Sequence, residues 1–397
     1  MRAVFARLPL LTRHGQVQAV VAMSAYAACG AFLANLTMAR TVGPSARGSL
    51  AFLLQASYFM APLVGMGVDK ILLRRSGGEC VPMERSTRHL LVTSAVVTTV
   101  AVILSGPLAL ALLPLAYGAS WNAIRRAHAL RYGTTRGFVS FAVLATTVVI
   151  VGSVLLYLAD VTSWLAWLVP YLVVPIGLIS VGLVRTVRHG VLGGVVSRQS
   201  LALVPGSLAT MVVARSDRVI LPVVAGPEAL GVYIVVVMAA EPVAWLSQAV
   251  ADRRVQHLRA THPRDYLRRL ATRELPMLSA LAGVTGVVLF FLLEPVFGPS
   301  YASGQVLVAP VCVAVVVFAL YRLMMGLVLA GPRAVMYSTI EGSLALVAIP
   351  TYVVTIHDNG ALGAAWGSVA VYSVGVAAAY VVCATDAGRR RTGRAAG

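Results

Sequence analysis

Gly43-Pro44-Ser45-Ala46-Arg47-Gly48 and Gly226-Pro227-Glu228-Ala229-Leu230-Gly231 are two copies of one pattern, Gly-Pro-x-x-x-Gly, 183 residues apart and each set between long apolar stretches. Proline fixes φ and lacks a backbone donor, and glycine tolerates φ > 0, so each copy marks a tight break between two helices. A second feature repeats in register. Asp69-Lys70 follows Gly48 by twenty-one residues, and Asp252-Arg253 follows Gly231 by the same interval. Motif and acid-base pair at matching offsets indicate an internal duplication.

The stretches around these breaks are too apolar for a soluble protein: 59% of the 397 residues are hydrophobic and 12% charged, with a mean hydropathy of +0.85. A helix needs about 20 apolar residues to cross the hydrocarbon. On that length the chain divides into twelve spans, at 17–40, 48–72, 88–105, 107–124, 138–159, 164–184, 200–223, 229–251, 275–294, 303–330, 335–356 and 361–384. Strands of alternating polarity are absent, which excludes a barrel and predicts an all-α polytopic membrane protein. Duplication then predicts two six-helix lobes, 1–184 and 200–384, joined by a glycine-containing linker, 185–199, and followed by a basic tail, 385–397, without fixed structure.

The net charge of +18 would suit a nucleic-acid binder, but the basic residues alternate by loop instead of forming a stripe with aromatics. They follow the positive-inside rule. With a cytoplasmic N-terminus, 27 of the 32 Lys and Arg fall on the cytoplasmic side, two (Arg40 and Arg47) fall outside, and Arg215, Arg218 and Arg322 fall inside spans. This predicts a multi-pass protein of the cytoplasmic membrane with both termini in the cytoplasm. The four cysteines offer no outward-facing pair for a disulfide.

A charge at the bilayer centre costs about 3 kcal/mol, so those that stay there need partners or a wet cavity. Counting from the second Gly-Pro break, Glu241 lies opposite residue 214, beside Arg215; counting from the turn near 332, Arg322 lies opposite Glu341 or its close neighbour. Both pairs read equally well as structural ion pairs and as functional charges. Arg215 and Arg218 share one helix face, while Asp217 points about 200° away from Arg215. Arg218 stands near the outer end of its span and has snorkelling as an alternative. Asn35 and Gln55 lie at matching depth and are expected to bond each other. Asp69 and Asp252 mark the cytoplasmic boundary in each half. No P-loop, nucleophile elbow, zinc motif or Cys-x-x-Cys is present, so nothing points to an enzyme, a cofactor or a metal.

Further motifs follow in order: Ala39-Arg40-Thr41-Val42-Gly43-Pro44 through Gly48, Gly65-Met66-Gly67, Ser216-Asp217-Arg218-Val219-Ile220-Leu221, Gly226-Pro227, Leu230-Gly231-Val232-Tyr233, Phe297-Gly298-Pro299-Ser300-Tyr301, and Leu362-Gly363-Ala364-Ala365-Trp366-Gly367. On these the chain resembles, nearly end to end, the polysaccharide-transporter branch of the multidrug/oligosaccharidyl-lipid/polysaccharide exporter superfamily, the O-antigen-type flippases. The resemblance implies two lobes related by a pseudo-twofold axis, alternating access, and a cationic central cavity. It implies as substrate a polyprenyl-pyrophosphate-linked glycan, held by Arg215, Arg218 and Arg322, with Asp217, Glu241, Glu341, Asp69 and Asp252 as ion-coupling or gating candidates. Membrane lipids and the glycosyltransferases or polymerase of the same pathway are the implied partners. The first two spans lack an interior basic residue and the chain has no room for two extra C-terminal helices, which departs from the lipid II flippase pattern. A small-molecule antiporter of the same fold and a non-transporting scaffold for glycan assembly remain alternatives.

Overall fold

The computed structural model describes residues 13–74, 83–132, 135–189, 198–258, 263–330 and 334–395. Within these the chain makes twelve helical crossings. Eight helices are long and apolar enough to span a membrane; three of them are broken at a glycine and carry two crossings each, and the shorter apolar helix His89–Ile103 completes the set. They are α1 (13–42) and α2 (44–65), α3 (Met83–Ser105), α4 (Leu112–Tyr132, entered through a 3-10 turn), α5 (Thr135–Leu158) and α6 (Trp164–His189). The second lobe holds α7 (204–225), α8 (227–258), α9 (Leu275–Phe297), α10 (Gln305–Ala330), α11 (334–359) and α12 (361–395). Apolar chain in hydrocarbon has no water to bond its peptide groups, so each crossing closes its own ladder as a helix.

The breaks lie where the repeated motif puts them. Gly43 has φ 74° and ψ 177°, Gly226 has φ 88° and ψ 162°, and the proline that follows each starts the next helix with its φ already set. A third break, at Gly360, closes a tight hairpin in which a Cβ on Gly363 would strike the carbonyl of Thr355. The two halves differ at their other ends. Gly65-Met66-Gly67 ends α2, with Met66 and Gly67 both at positive φ, before the short helix Val68–Arg74 begins. The matching Gln248-Ala249-Val250 holds no glycine, and α8 runs on to Leu258.

The lobes meet through the motif itself. A Cβ on Gly48 would collide with the carbonyl oxygen of Pro227, and a Cβ on Gly231 with that of Pro44. This reciprocal contact is what a twofold relation between the copies produces, and only glycine permits backbones to approach so closely. The large core of the second lobe takes in Ala39 and Ala51 from the first, while smaller clusters around Tyr117 and Trp167 hold α2 to α6 together. Ile103, Val223, Phe291 and Leu346 point outward on the perimeter, where lipid would meet them.

Two local expectations change. Asn35 bonds the carbonyl of Ala31 in its own helix, leaving Gln55 for another partner. The helix of α12 continues through the tail arginines to Ala395, where an unstructured tail was expected. Residues 190–197 of the linker lie outside the described part. The basic segment after α8 holds a short amphipathic helix, Pro263–Arg269, which buries Tyr266 against the Leu323 carbonyl and leaves Asp265, Arg268 and Arg269 exposed.

Candidate functional site

The polar run Arg215-Ser216-Asp217-Arg218 interrupts an otherwise apolar α7, and neighbouring helices divide its charges between two environments. Arg218 is buried. Its Nη1 donates to Glu241 Oε1 of α8 at 2.6 Å, and its Nε lies 3.9 Å from Asp217 Oδ2. The Tyr233 hydroxyl donates to the same Asp217 oxygen at 2.6 Å, whereas Asp217 Oδ1 is buried with no hydrogen-bond partner. Nearby, the Tyr372 hydroxyl reaches the Ala214 carbonyl at 3.5 Å, and Tyr352 and Ser368 pair at 3.2 Å, tying α7, α11 and α12 together. Snorkelling by Arg218 is ruled out by this burial, and the partner of Glu241 is Arg218, one turn beyond the Arg215 that depth counting selected. Pro222 stands within α7 and Pro242 within α8 beside Glu241, and a proline inside a helix removes a backbone hydrogen bond and bends it, which counting along straight antiparallel helices ignores.

Arg215 bonds no member of that cluster, though it is close enough for its charge to act on Arg218, Glu241 and Asp217, and it lies on the seam between lobes. Its Nη1 donates to Gln55 Oε1 of α2 at 2.6 Å, and its guanidinium lies 4.3 Å from the centre of the Tyr58 ring. Tyr58 is exposed, Arg215 half-buried, and none of the described ion pairs includes Arg215. Arg215 and Gln55 stand eleven and twelve residues from their respective breaks. At 1.5 Å per residue that is roughly 16–18 Å, near the middle of a bilayer core about 30 Å thick. The cluster is neutral only when Arg215 is counted, because Arg218 alone faces the two carboxylates of Asp217 and Glu241. Arg218 takes the carboxylates, and Arg215 takes an amide and a ring.

Arg322 and Glu341 pair as depth counting predicts, at 3.5 Å between Nη1 and Oε1, with the carboxylate wholly buried and its Oε2 without a partner. This pair belongs to α10 and α11, beside the Thr210–Tyr337 hydroxyl contact at 3.4 Å, and is separate from the Arg218 cluster. Asp69 lies 3.8 Å from its neighbour Lys70 at a half-buried position and touches neither group. Asp252 lies on α8, but its side chain is outside the described part. Among the described residues no group of three or more His, Cys, Asp and Glu is placed to hold a metal.

Two features escape counting along the sequence. Tyr58 has no polar signature in an apolar span. Arg47, counted as an outer-loop residue, lies instead in the first turn of α2 at 2% exposure, with Nη2 on the Met238 sulfur at 3.3 Å and Nε without a partner. Arg47 is thus a buried arginine at the end of the α2 crossing, three residues past Pro44.

No family model matches the chain, and no curated protein does. Solved structures do. "Lipid II flippase MurJ, inward closed conformation" aligns at a TM-score of 0.55 with 12% identity, over 91% of this chain and 86% of that one. The MATE multidrug transporter DinF-BH aligns at 0.57 with 13% identity, over 96% of each chain. "Inward-facing conformation of a multidrug resistance MATE family transporter of the MOP superfamily" aligns at 0.56 with 13% identity, over 89% of this chain and 94% of that one. At such identities the likeness speaks for the backbone alone, and it covers both lobes: the chain has the all-α, two-lobed fold of MurJ-type and MATE-type transporters.

Proposed function

We propose that this protein is a non-enzymatic flippase of the cytoplasmic membrane that moves a polyprenyl-pyrophosphate-linked oligosaccharide by alternating access. The supporting observation is Arg215, a mid-depth guanidinium on the lobe seam that faces an amide and an aromatic ring where a carboxylate would be expected. A pyrophosphate carries about two negative charges, and a guanidinium offers forked donors that match its oxygens. Lobes that rock about the seam would break the Gln55 contact and free those donors.

Arg218 then serves as the counter-charge that holds Asp217 and Glu241, and not as a direct ligand. When an anion takes Arg215, the cluster is left with one surplus negative charge, which proton uptake by Asp217 or Glu241 relieves. The orphaned Asp217 Oδ1 is where that proton has no competing donor to displace. The same carboxylates favour a second reading, a proton- or cation-coupled antiporter of small molecules. Orientation follows the arginine count, with the Gly-Pro breaks outside and linker 185–199 inside.

The test is transfer of labelled lipid-linked oligosaccharide across reconstituted vesicles, compared with a dansylated cationic dye. Transfer that requires the pyrophosphate, and is lost when the same glycan is carried on a neutral polyprenol, supports the flippase. Cation-dependent dye transport with no lipid transfer supports the antiporter.

A further inference from the structure

Arg47 has a built-in control, because the duplication places Leu230 at the matching position of the other copy. Leu230 is fully buried in the same seam, so packing there is satisfied by a leucine. Arg47 instead carries a charge into the seam. Its partner is a thioether sulfur, a weak acceptor, and none of the described ion pairs includes it. The Tyr171 and Tyr301 hydroxyls are both close enough to interact with its charge, and that of Tyr301 is also buried without a partner. Two orphaned polar groups in one place need an explanation that packing does not supply.

The charge lies deeper than the break. The reciprocal Gly48–Pro227 and Gly231–Pro44 contacts bring the first turns of α2 and α8 against each other, and the Arg47 guanidinium reaches past them to Met238, the twelfth residue of α8. Arg40 lies at the same end, its Nε and Nη2 on the carbonyls of Val296 and Pro295 at 2.6 Å. Arg40 and Arg47 are also the two exceptions to the one-sided distribution of basic residues, and both occupy the line where the lobes touch.

We propose that Arg47 and Tyr301 form a second anion site, shut inside the seam in this conformation and opened when the lobes part at the Gly-Pro end. Resting on the flippase reading, its ligand is the pyrophosphate of the outgoing lipid, received from Arg215 and released to the far leaflet.

A wedge tests it. Gly48→Ala with Gly231→Ala puts two methyl groups into backbone carbonyls across the seam and holds that end open. The purified wedged protein is expected to bind inorganic pyrophosphate at least about 10-fold more tightly than the parent, by calorimetry. Adding Arg47→Leu should abolish the gain. Equal binding with and without Arg47→Leu, or no gain on wedging, overturns the site.

Should the wedged protein fail to fold, Arg47→Leu in the native seam gives the second reading. It removes an uncompensated buried charge and copies the other half, so it should raise the melting temperature by a few degrees. It should also slow lipid transfer at least about 10-fold. A lower melting temperature, or undiminished transfer, counts against the proposal. The outcomes separate the two ideas: lipid transfer with Arg47-independent pyrophosphate binding removes the exit site and leaves the flippase. Arg47-dependent binding without any lipid transfer does the reverse.

Discussion

Arg218 and Glu241 meet at 2.6 Å with both side chains about nine-tenths buried, and that geometry decides how substitutions there behave. Removing one partner leaves a lone buried charge, which costs roughly 3–5 kcal/mol, while removing both costs far less. We therefore expect Arg218→Ala to lower protein abundance and the Arg218→Met, Glu241→Gln, Asp217→Asn triple variant, which leaves no lone charge in the cluster, to restore most of it, measured by quantitative blotting of membranes. An abundance unchanged in Arg218→Ala would show that the pair contributes little to folding. Arg215 should behave differently, since its partners are neutral. Gln55→Ala frees the guanidinium without stranding a charge, and is expected to leave abundance unaltered and change lipid transfer by about 10-fold or less, one hydrogen bond to a charged group being worth about 1.5–3 kcal/mol before compensation by other partners. The residue chemistry was legible in sequence as far as type and depth. Arg215, Asp217, Arg218, Glu241, Arg322 and Glu341 were visible as charges in apolar spans, and the Arg322–Glu341 pair followed from depth alone. The choice of Glu241 between two arginines a turn apart was not, because depth counting assumes straight helices and both α7 and α8 contain a proline, Pro222 and Pro242.

At the scale of the element, each Gly-Pro break holds a glycine at positive φ with open space around the missing Cβ. Gly43 and Gly226 are therefore needed for conformation, whereas Gly48 and Gly231 are needed for room. Gly43→Ala and Gly226→Ala should each destabilise by a similar amount, of order 1–3 kcal/mol, read as matched losses of melting temperature in detergent. A loss at one position and none at the other would break the equivalence of the two halves. The breaks themselves could be read from the sequence because proline and glycine act locally. The seam could not: which carbonyl Gly48 approaches depends on how two helices cross, 183 residues apart, and that also hid Arg47, whose position four residues past a break looks like a loop until the partner lobe covers it.

For the whole molecule, the charge asymmetry and the likeness to MurJ-type and MATE-type transporters bear on separate properties. The likeness speaks to the fold, while orientation rests on where 27 of 32 basic residues lie. In a cysteine-free background, cysteines at Glu228 and Ser300 should react with an impermeant thiol reagent applied to intact cells, and those at Gly77 and Ala260 should not. The reverse pattern would invert the molecule and, with it, the direction assigned to the path. Transport by a seam-located anion site is the central claim, and Arg215 is the residue it depends on. The most direct measurement is the rate of labelled polyprenyl-pyrophosphate oligosaccharide transfer in vesicles holding equal amounts of folded wild-type, Arg215→Lys and Arg215→Ala protein. The predicted result is partial transfer with Lys, which keeps the charge and loses the fork, and a rate at background with Ala. Full transfer by the Arg215→Ala protein would contradict it.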